Sequence, residues 1–214
     1  LENRLHEEEE ETMAPDAFIE AMSEATPTPG GGSAAALAGA LAAALTQMVA
    51  GLTSGRKKYA DVAGEAEAIK QRAARLRRRL TETIAEDAVA FEAVMAAYRQ
   101  KDQSEEQKAA AIETATLAAA RIPLEVAELS LETAELAAEI ARIGNINAAT
   151  DAAAGALMAQ AAVGAAALNV KVNAYDLQDK VQADILREQI GELETRVAQV
   201  AKMAQETAAE RGGY

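Results

Sequence analysis

Cysteine and tryptophan are absent from this 214-residue chain, histidine occurs once and proline four times. Without cysteine there is no disulfide framework, no thiolate nucleophile and no cysteine-based metal site. The one histidine, His6, lies in a terminal charged segment, so any catalysis must rest on carboxylates, amides, hydroxyls, lysine or arginine, and no metal centre is expected. Two Phe and four Tyr are too few to build an aromatic core. An excess of positive charge is lacking too: 34 acidic against 21 basic side chains leave a formal charge of −13. That field repels nucleic-acid phosphates and anionic membrane surfaces, so neither is an expected partner. The N-terminus shows no succession of basic, apolar and small-residue segments of the kind that directs secretion, and the cytoplasm is the expected location.

Alanine takes the place of what is missing. Half of the residues are hydrophobic, and more than half of those are alanine. Alanine is the best helix former and lets helix axes come close, and no alternating strand pattern is found. The expectation is an all-α fold, an antiparallel helical bundle of about six helices, two of them long. Residues 1–13, with the run EEEEE, read as an acidic flexible tail, and residues 14–214 as one helical domain. Residues 33–55 are uncharged and 152–168 nearly apolar, but both are built from Ala and Gly, which suits buried central helices better than a bilayer.

Helical periodicity predicts a short helix over 16–24, a helix over about 34–54 with Ser33 as its N-cap, and a long helix over about 61–98. In the last, an apolar stripe runs from Val62 through Leu76 and Leu80 to Phe91, Met95 and Tyr98, with Arg72, Arg75, Arg78 and Arg79 opposite. Ser104 is the expected N-cap of the next helix, Pro123 is expected to kink or restart it, and Gly144 to end it. A buried helix over 152–170 and a last helix over about 177–209 follow, the latter turning Leu177, Val181, Ile185, Ile190 and Val197 inward.

Four groups of residues could carry chemistry. The stretch PGGGS, Pro29 to Ser33, places Gly30, Gly31 and Gly32 directly before a helix, where backbone N–H groups can hold an anion or the loop can simply turn tightly. Arg56, Lys57 and Lys58 follow that helix and either neutralise its C-terminal end or hold an anionic ligand tail. Asp87 lies near the apolar stripe, as an acid or base with a raised pKa or as the partner of an arginine. Asn145, Asn147 and Asp151 suit helix caps, whereas Asn169 and Asn173 share a face at i, i+4 and either tie helices together or read a ligand.

TPGGGSAAALAGALAAALTQMVAGLTSGRKKY, DAVAF, AYR, IPLEVAE, GNINAATD and NVKVN, in that order, resemble the cyclodeaminase/cyclohydrolase family. This family comprises the C-terminal half of formiminotransferase-cyclodeaminase and its stand-alone bacterial relatives, and the resemblance covers about residues 14–185. It implies a helical, homodimeric enzyme with no cofactor beyond its tetrahydrofolate substrate. Such enzymes cyclise 5-formiminotetrahydrofolate with loss of ammonia or hydrolyse 5,10-methenyltetrahydrofolate. No formiminotransferase segment accompanies the motifs, which tilts the expectation to the hydrolase. On the matching motifs, Asp87 is the expected acid or base. Gly30 to Ser33, Arg56, Lys57, Lys58, Asn145, Asp151, Asn169 and Asn173 are the expected substrate contacts. Two departures stand out: Ala85, where relatives carry a second acid, and Gln100, Lys101 and Asp102, where they carry a leucine-proline-lysine turn. An alternative expectation is therefore a folate-binding bundle that has lost the chemistry.

Overall fold

The computed structural model describes residues 15–102 and 104–213, so the acidic tail expected over 1–13 lies outside the described residues. Six α-helices follow in order, α1 Pro15–Ser23, α2 Gly31–Ser54, α3 Ala63–Arg99, α4 Glu105–Ile143, α5 Ala149–Asp176 and α6 Lys180–Gly212. Short 3₁₀ turns at Lys57–Val62 and Ile146–Ala148 join α2 to α3 and α4 to α5. No strand occurs among the described residues. The all-α expectation holds, but three helices rather than two are long: α3, α4 and α6 have 37, 39 and 33 residues.

Helices α2 and α5 form the centre and run antiparallel, with Gly31 beside Asn169 and Gly155 beside Ala42 and Thr46. Their facing surfaces are almost all Ala and Gly, which lets the axes approach far closer than leucine would allow. Both are long and apolar enough to span a membrane by length and composition, yet half of each apolar stretch is buried in the bundle. Larger side chains from the flanking helices seal this alanine centre, among them Leu80, Leu124, Leu131, Leu186 and Ile190, together with Leu177 from the turn after α5. Across the outside of α3 and α4, Arg79 donates to both oxygens of Glu125 at 2.7 and 2.8 Å, and Arg72 pairs with Glu132.

Several local expectations change. Ser104 does cap α4, in a reciprocal box with Gln107, and Gly144 ends that helix. Pro123, by contrast, does not restart α4, which continues through it. Ser33 is not an N-cap: Gly30 holds that position without a side-chain bond, and Ser33 lies inside α2 and hydrogen-bonds to α3. Helix α5 extends beyond 152–170 at both ends, and α6 begins at Lys180, with Asp179 accepting from Val181 and Gln182 N–H. Val181 and Ile185 point outward, because the inner face of α6 is laid down by Ala183, Leu186, Ile190, Val197, Ala201, Ala204 and Ala208.

The helix crossing at Gly39 shows how tight the packing is. A Cβ there would lie 2.6 Å from Ser130 Oγ and 3.1 Å from a Leu80 methyl. Ser130 Oγ is itself buried without a hydrogen-bond partner. Gly39→Ala is expected to destabilise the fold by about 1–3 kcal/mol through overpacking. Ser130→Ala, which removes the stranded hydroxyl, is expected to be neutral or stabilising. The double variant should recover part of the Gly39→Ala loss in urea unfolding, and strict additivity would disprove the contact.

Candidate active site

The start of α2 packs against the middle of α3, and there the glycines have a specific use. A Cβ on Gly32 would stand 2.0 Å from Asp87 Oδ1 and 2.5 Å from its carboxyl carbon. Asp87 thus occupies the space that any other residue at position 32 would fill. It caps α2 from a neighbouring helix, where unpaired N–H groups and the positive end of the helix dipole favour an anion. Ser33 Oγ lies 2.9 Å from Asp87 Oδ2 and 3.1 Å from the Ile84 carbonyl oxygen. One hydroxyl proton cannot serve both at once, so an ionised Asp87 takes it, and a protonated Asp87 can donate to Ser33 while Ser33 turns to Ile84.

Burial pushes the Asp87 carboxyl above the ordinary aspartate range, and the hydrogen bonds from the Ser33 hydroxyl and backbone offset this only in part. No arginine relieves it. Arg79, the nearest candidate from the sequence, is taken by Glu86 and Glu125, and Glu86 is thereby held low.

Asp87 opens onto a cavity of about 400 Å³ between the start of α2, the C-terminal half of α3 and the end of α5. Gly30, Gly31 and Gly32 line one side, Phe91, Val94, Met95 and Tyr98 a second, and Asn169, Val172, Asn173 and Asp176 a third. Asn169 donates to the Ala165 carbonyl at 3.0 Å and Asn173 to that of Ala119 at 3.4 Å. The second of these depends on Pro123: the proline has no N–H to give to the carbonyl four residues back, and that carbonyl belongs to Ala119. The acceptor freed by the proline is thus the one that holds Asn173. Both amides keep their carbonyl oxygen and a second N–H proton for a ligand.

Of the residues expected to contact substrate, the structure gathers Gly30, Gly31, Gly32, Asp87, Asn169 and Asn173 around one cavity, with Ser33 behind Asp87. The others lie elsewhere in this chain. Arg56, Lys57 and Lys58 follow the far end of α2, whose 24 residues at about 1.5 Å each span roughly 36 Å. Asn145 is 3% exposed and its polar groups are used internally. Its backbone N–H donates to Thr53 Oγ1 at 2.9 Å, and its side-chain oxygen accepts from Asn147 N–H at 3.2 Å and from the Tyr59 hydroxyl at 3.4 Å. Asp151 lies at that same end, in the first turn of α5. The sequence reading did not assign Phe91, Val94, Met95, Tyr98, Val172 or Asp176 to the site. Part of the signal is there, since Phe91, Met95 and Tyr98 continue the apolar stripe of α3 past Asp87, but hydrophobicity alone does not separate cavity wall from core, and the core takes only the N-terminal part of that stripe.

Because the folded chain holds the Asp87 proton more tightly than the unfolded chain, stability from this group falls as pH rises from about 3.9, the usual aspartate value, through the raised folded value. Asp87→Asn removes that fall. The variant is expected to gain stability relative to the parent as urea unfolding is repeated from about pH 4 to pH 8. Parallel curves would mean that the carboxyl is not held high. Gly32→Ala, which pushes the carboxylate off its seat, is expected to abolish the same pH dependence.

Residues 15–192 match the family model described as formiminotransferase-cyclodeaminase. The chain is 39% identical over 191 residues to a methenyltetrahydrofolate cyclohydrolase of Methylorubrum extorquens, covering 88% of this chain and 90% of that protein. It is 28% identical to the formimidoyltransferase-cyclodeaminase of Rattus norvegicus, matching 83% of this chain but only 33% of that longer protein. The crystal structure of a formiminotetrahydrofolate cyclodeaminase from Thermotoga maritima superposes with a TM-score of 0.86 at 28% identity, over 94% of this chain and 98% of that one. By sequence and by fold, the chain belongs to the formiminotransferase-cyclodeaminase family.

Proposed function

We propose that the protein is a folate one-carbon enzyme that hydrolyses 5,10-methenyltetrahydrofolate to 10-formyltetrahydrofolate. The observation that carries this reading is the Asp87 carboxylate, half-buried and raised in pKa, at the wall of a cavity that is apolar on one side and lined by amides on the other. Phe91, Val94, Met95 and Tyr98 offer flat contact to a bicyclic pterin, and Asn169 and Asn173 offer the donors and acceptors that its polar edge needs.

In the substrate one carbon bridges N5 and N10 and shares their positive charge. Asp87 stabilises that cation and takes a proton from the attacking water as the new C–O bond forms. It then returns the proton to N5 as the C–N5 bond breaks, while the carbinol proton leaves to solvent and the formyl group stays on N10. One water enters and one proton is released. No oxidation state changes in these steps, and the reading needs no cofactor beyond the folate itself.

The 39% identity to a cyclohydrolase over nearly the whole of both chains supports hydrolysis. The structural likeness to a cyclodeaminase supports a second reading, closure of the formimino compound, in which Asp87 would protonate the departing amine. Neither departure from the family pattern enters the cavity lining: Ala85, Lys101 and Asp102 are exposed, Gln100 is half-buried outside the lining, and Asp87 keeps its place. This weighs against a bundle that only binds folate.

The working unit in this reading is a homodimer in the cytoplasm. Its support is an apolar stripe left exposed on the central helices, Leu41, Met48 and Leu52 on α2 and Leu157, Leu168, Val172 and Tyr175 on α5, beside charged outer helices suited to water.

The test follows methenyltetrahydrofolate by its near-ultraviolet absorbance. Added protein should speed the loss of signal above the spontaneous rate, and Asp87→Asn should slow it about 10²–10⁴-fold. Gain of signal from the formimino compound instead would favour the second reading, and no change from either would overturn both. Asn173→Ala should raise KM more than it lowers kcat, because its role is to bind.

A further inference from the structure

Asp176 lines the cavity but has no part in the proton chemistry assigned to Asp87. It is the last residue of α5, where the negative end of the helix dipole disfavours a carboxylate, and no basic residue stands in that last turn to offset it. The cations nearest to it in sequence are engaged elsewhere. Lys171 pairs with Glu194, Lys180 Nζ donates to the Leu177 carbonyl at 2.7 Å, and Arg187 divides its guanidinium between Asp184 and the Ala174 carbonyl. The Asp176 carboxylate is left without a hydrogen bond or ion pair among the described residues. The backbone around it, by contrast, is held firmly. Leu177 is 1% exposed, and Glu113 of α4 accepts from Gln178 N–H at 2.8 Å and from Asp179 N–H at 2.9 Å. A fixed frame that presents an unanswered acid to a cavity is the arrangement a ligand contact needs.

Asn169, Asn173 and Asp176 stand at i, i+4 and i+7, so one face of α5 carries all three over about 10 Å at 1.5 Å per residue. Asn169 marks the inner end: its Nδ2 is 3.5 Å from where a Cβ on Gly31 would lie, next to the glycine that seats Asp87. Asp176 marks the outer end. A fused ring whose reacting carbon lies at Asp87 and whose flat face rests on Phe91 therefore turns its far edge toward Asp176.

We propose that Asp176 is a specificity residue that reads the 2-amino-pyrimidine end of the ligand, its two carboxylate oxygens accepting from ring N3–H and from the 2-amino group. The free N–H of Asn173, one turn earlier, donates to the C4 carbonyl oxygen beside them. The assignment rests on the folate reading above. The order of groups matches: along that edge of a pterin one acceptor is followed by two donors, and along α5 one donor is followed by two acceptors. A ring with oxygen in place of the 2-amino group would set acceptor against acceptor, which is how such a site rejects it. An amide at position 176 inverts this, because its oxygen can take N3–H while its N–H gives to the 2-oxygen.

Isothermal titration of the full chain compares folic acid with its counterpart carrying oxygen in place of the 2-amino group, two probes of equal charge below the pH at which either ring ionises. The parent is expected to bind folic acid at least about tenfold more tightly. Asp176→Asn is expected to reverse that preference and Asp176→Ala to abolish it, with helix content unchanged by circular dichroism. A preference that survives both substitutions overturns the proposal, as does binding of neither probe. A loss that falls equally on the two probes also overturns it, since that is what a charge away from the ring would give. In turnover of methenyltetrahydrofolate, Asp176→Asn should raise KM about tenfold and leave kcat within about twofold. A fall in kcat at unchanged KM would make Asp176 part of the proton chemistry and overturn the assignment. If the parent turns over neither folate while the preference and its reversal are observed, the functional reading fails and the assignment of Asp176 stands; turnover without the preference has the opposite meaning.

Discussion

The close approach of α2 and α5 is the constraint on which the rest of the molecule depends. Two helices whose facing surfaces carry nothing larger than a methyl group at most positions leave no room for error in register, because a single added carbon has nowhere to go. Gly155 shows it: a Cβ there would lie 3.3 Å from the Ala42 carbonyl oxygen and 3.4 Å from Thr46 Oγ1. Close approach also sets what happens at the helix ends. Where α2 begins, Gly32 leaves its Cβ space to Asp87 of α3, Gly31 lies beside Asn169 of α5, and the space left between the three helices is the cavity. A leucine-rich centre would hold the same helices further apart and leave Asp87 too far from the start of α2 to be seated by it.

Asp87 is held between opposed effects of similar origin. The first turn of α2 and the Ser33 hydroxyl favour its charged form, and the apolar walls disfavour it. The result is a carboxyl above its usual range that still has a defined orientation, since both of its states find a partner in Ser33. An ion pair with Arg79 would have fixed it in one state. The separate engagement of Arg79 by Glu86 and Glu125 is therefore part of how the site is kept titratable.

What could be read from the sequence was local. Ser104 with Gln107, and Gly144, act where short-range chemistry says they should. The failures involve partners distant in the chain. Ser33 has the composition of an N-cap, but the cap comes from Asp87, 54 positions away, and the helix can then start three residues earlier, on glycine. Val181 and Ile185 look like core on hydrophobicity alone, yet the face of α6 that packs inward is the one carrying Ala183, Leu186, Ile190 and Val197, and it leaves those two outside. The motif order was enough to name the family and to point to Asp87, Asn169 and Asn173. It could not show that Asn145 spends its polar groups on the Thr53 and Tyr59 end of the bundle, because nothing in the spacing of that motif differs from that of a ligand contact.

The bond from Asn173 to Ala119 ties the history of two positions together. Pro123 alone leaves a helix with an unanswered carbonyl, and Asn173 alone finds that carbonyl already occupied by its own helix. Each substitution is unfavourable on the background that lacks the other, and the two together are not. The pair is an epistatic unit: a lineage that lost the proline would free the amide to drift, and one that lost the amide would face selection to regain an ordinary helical residue at 123.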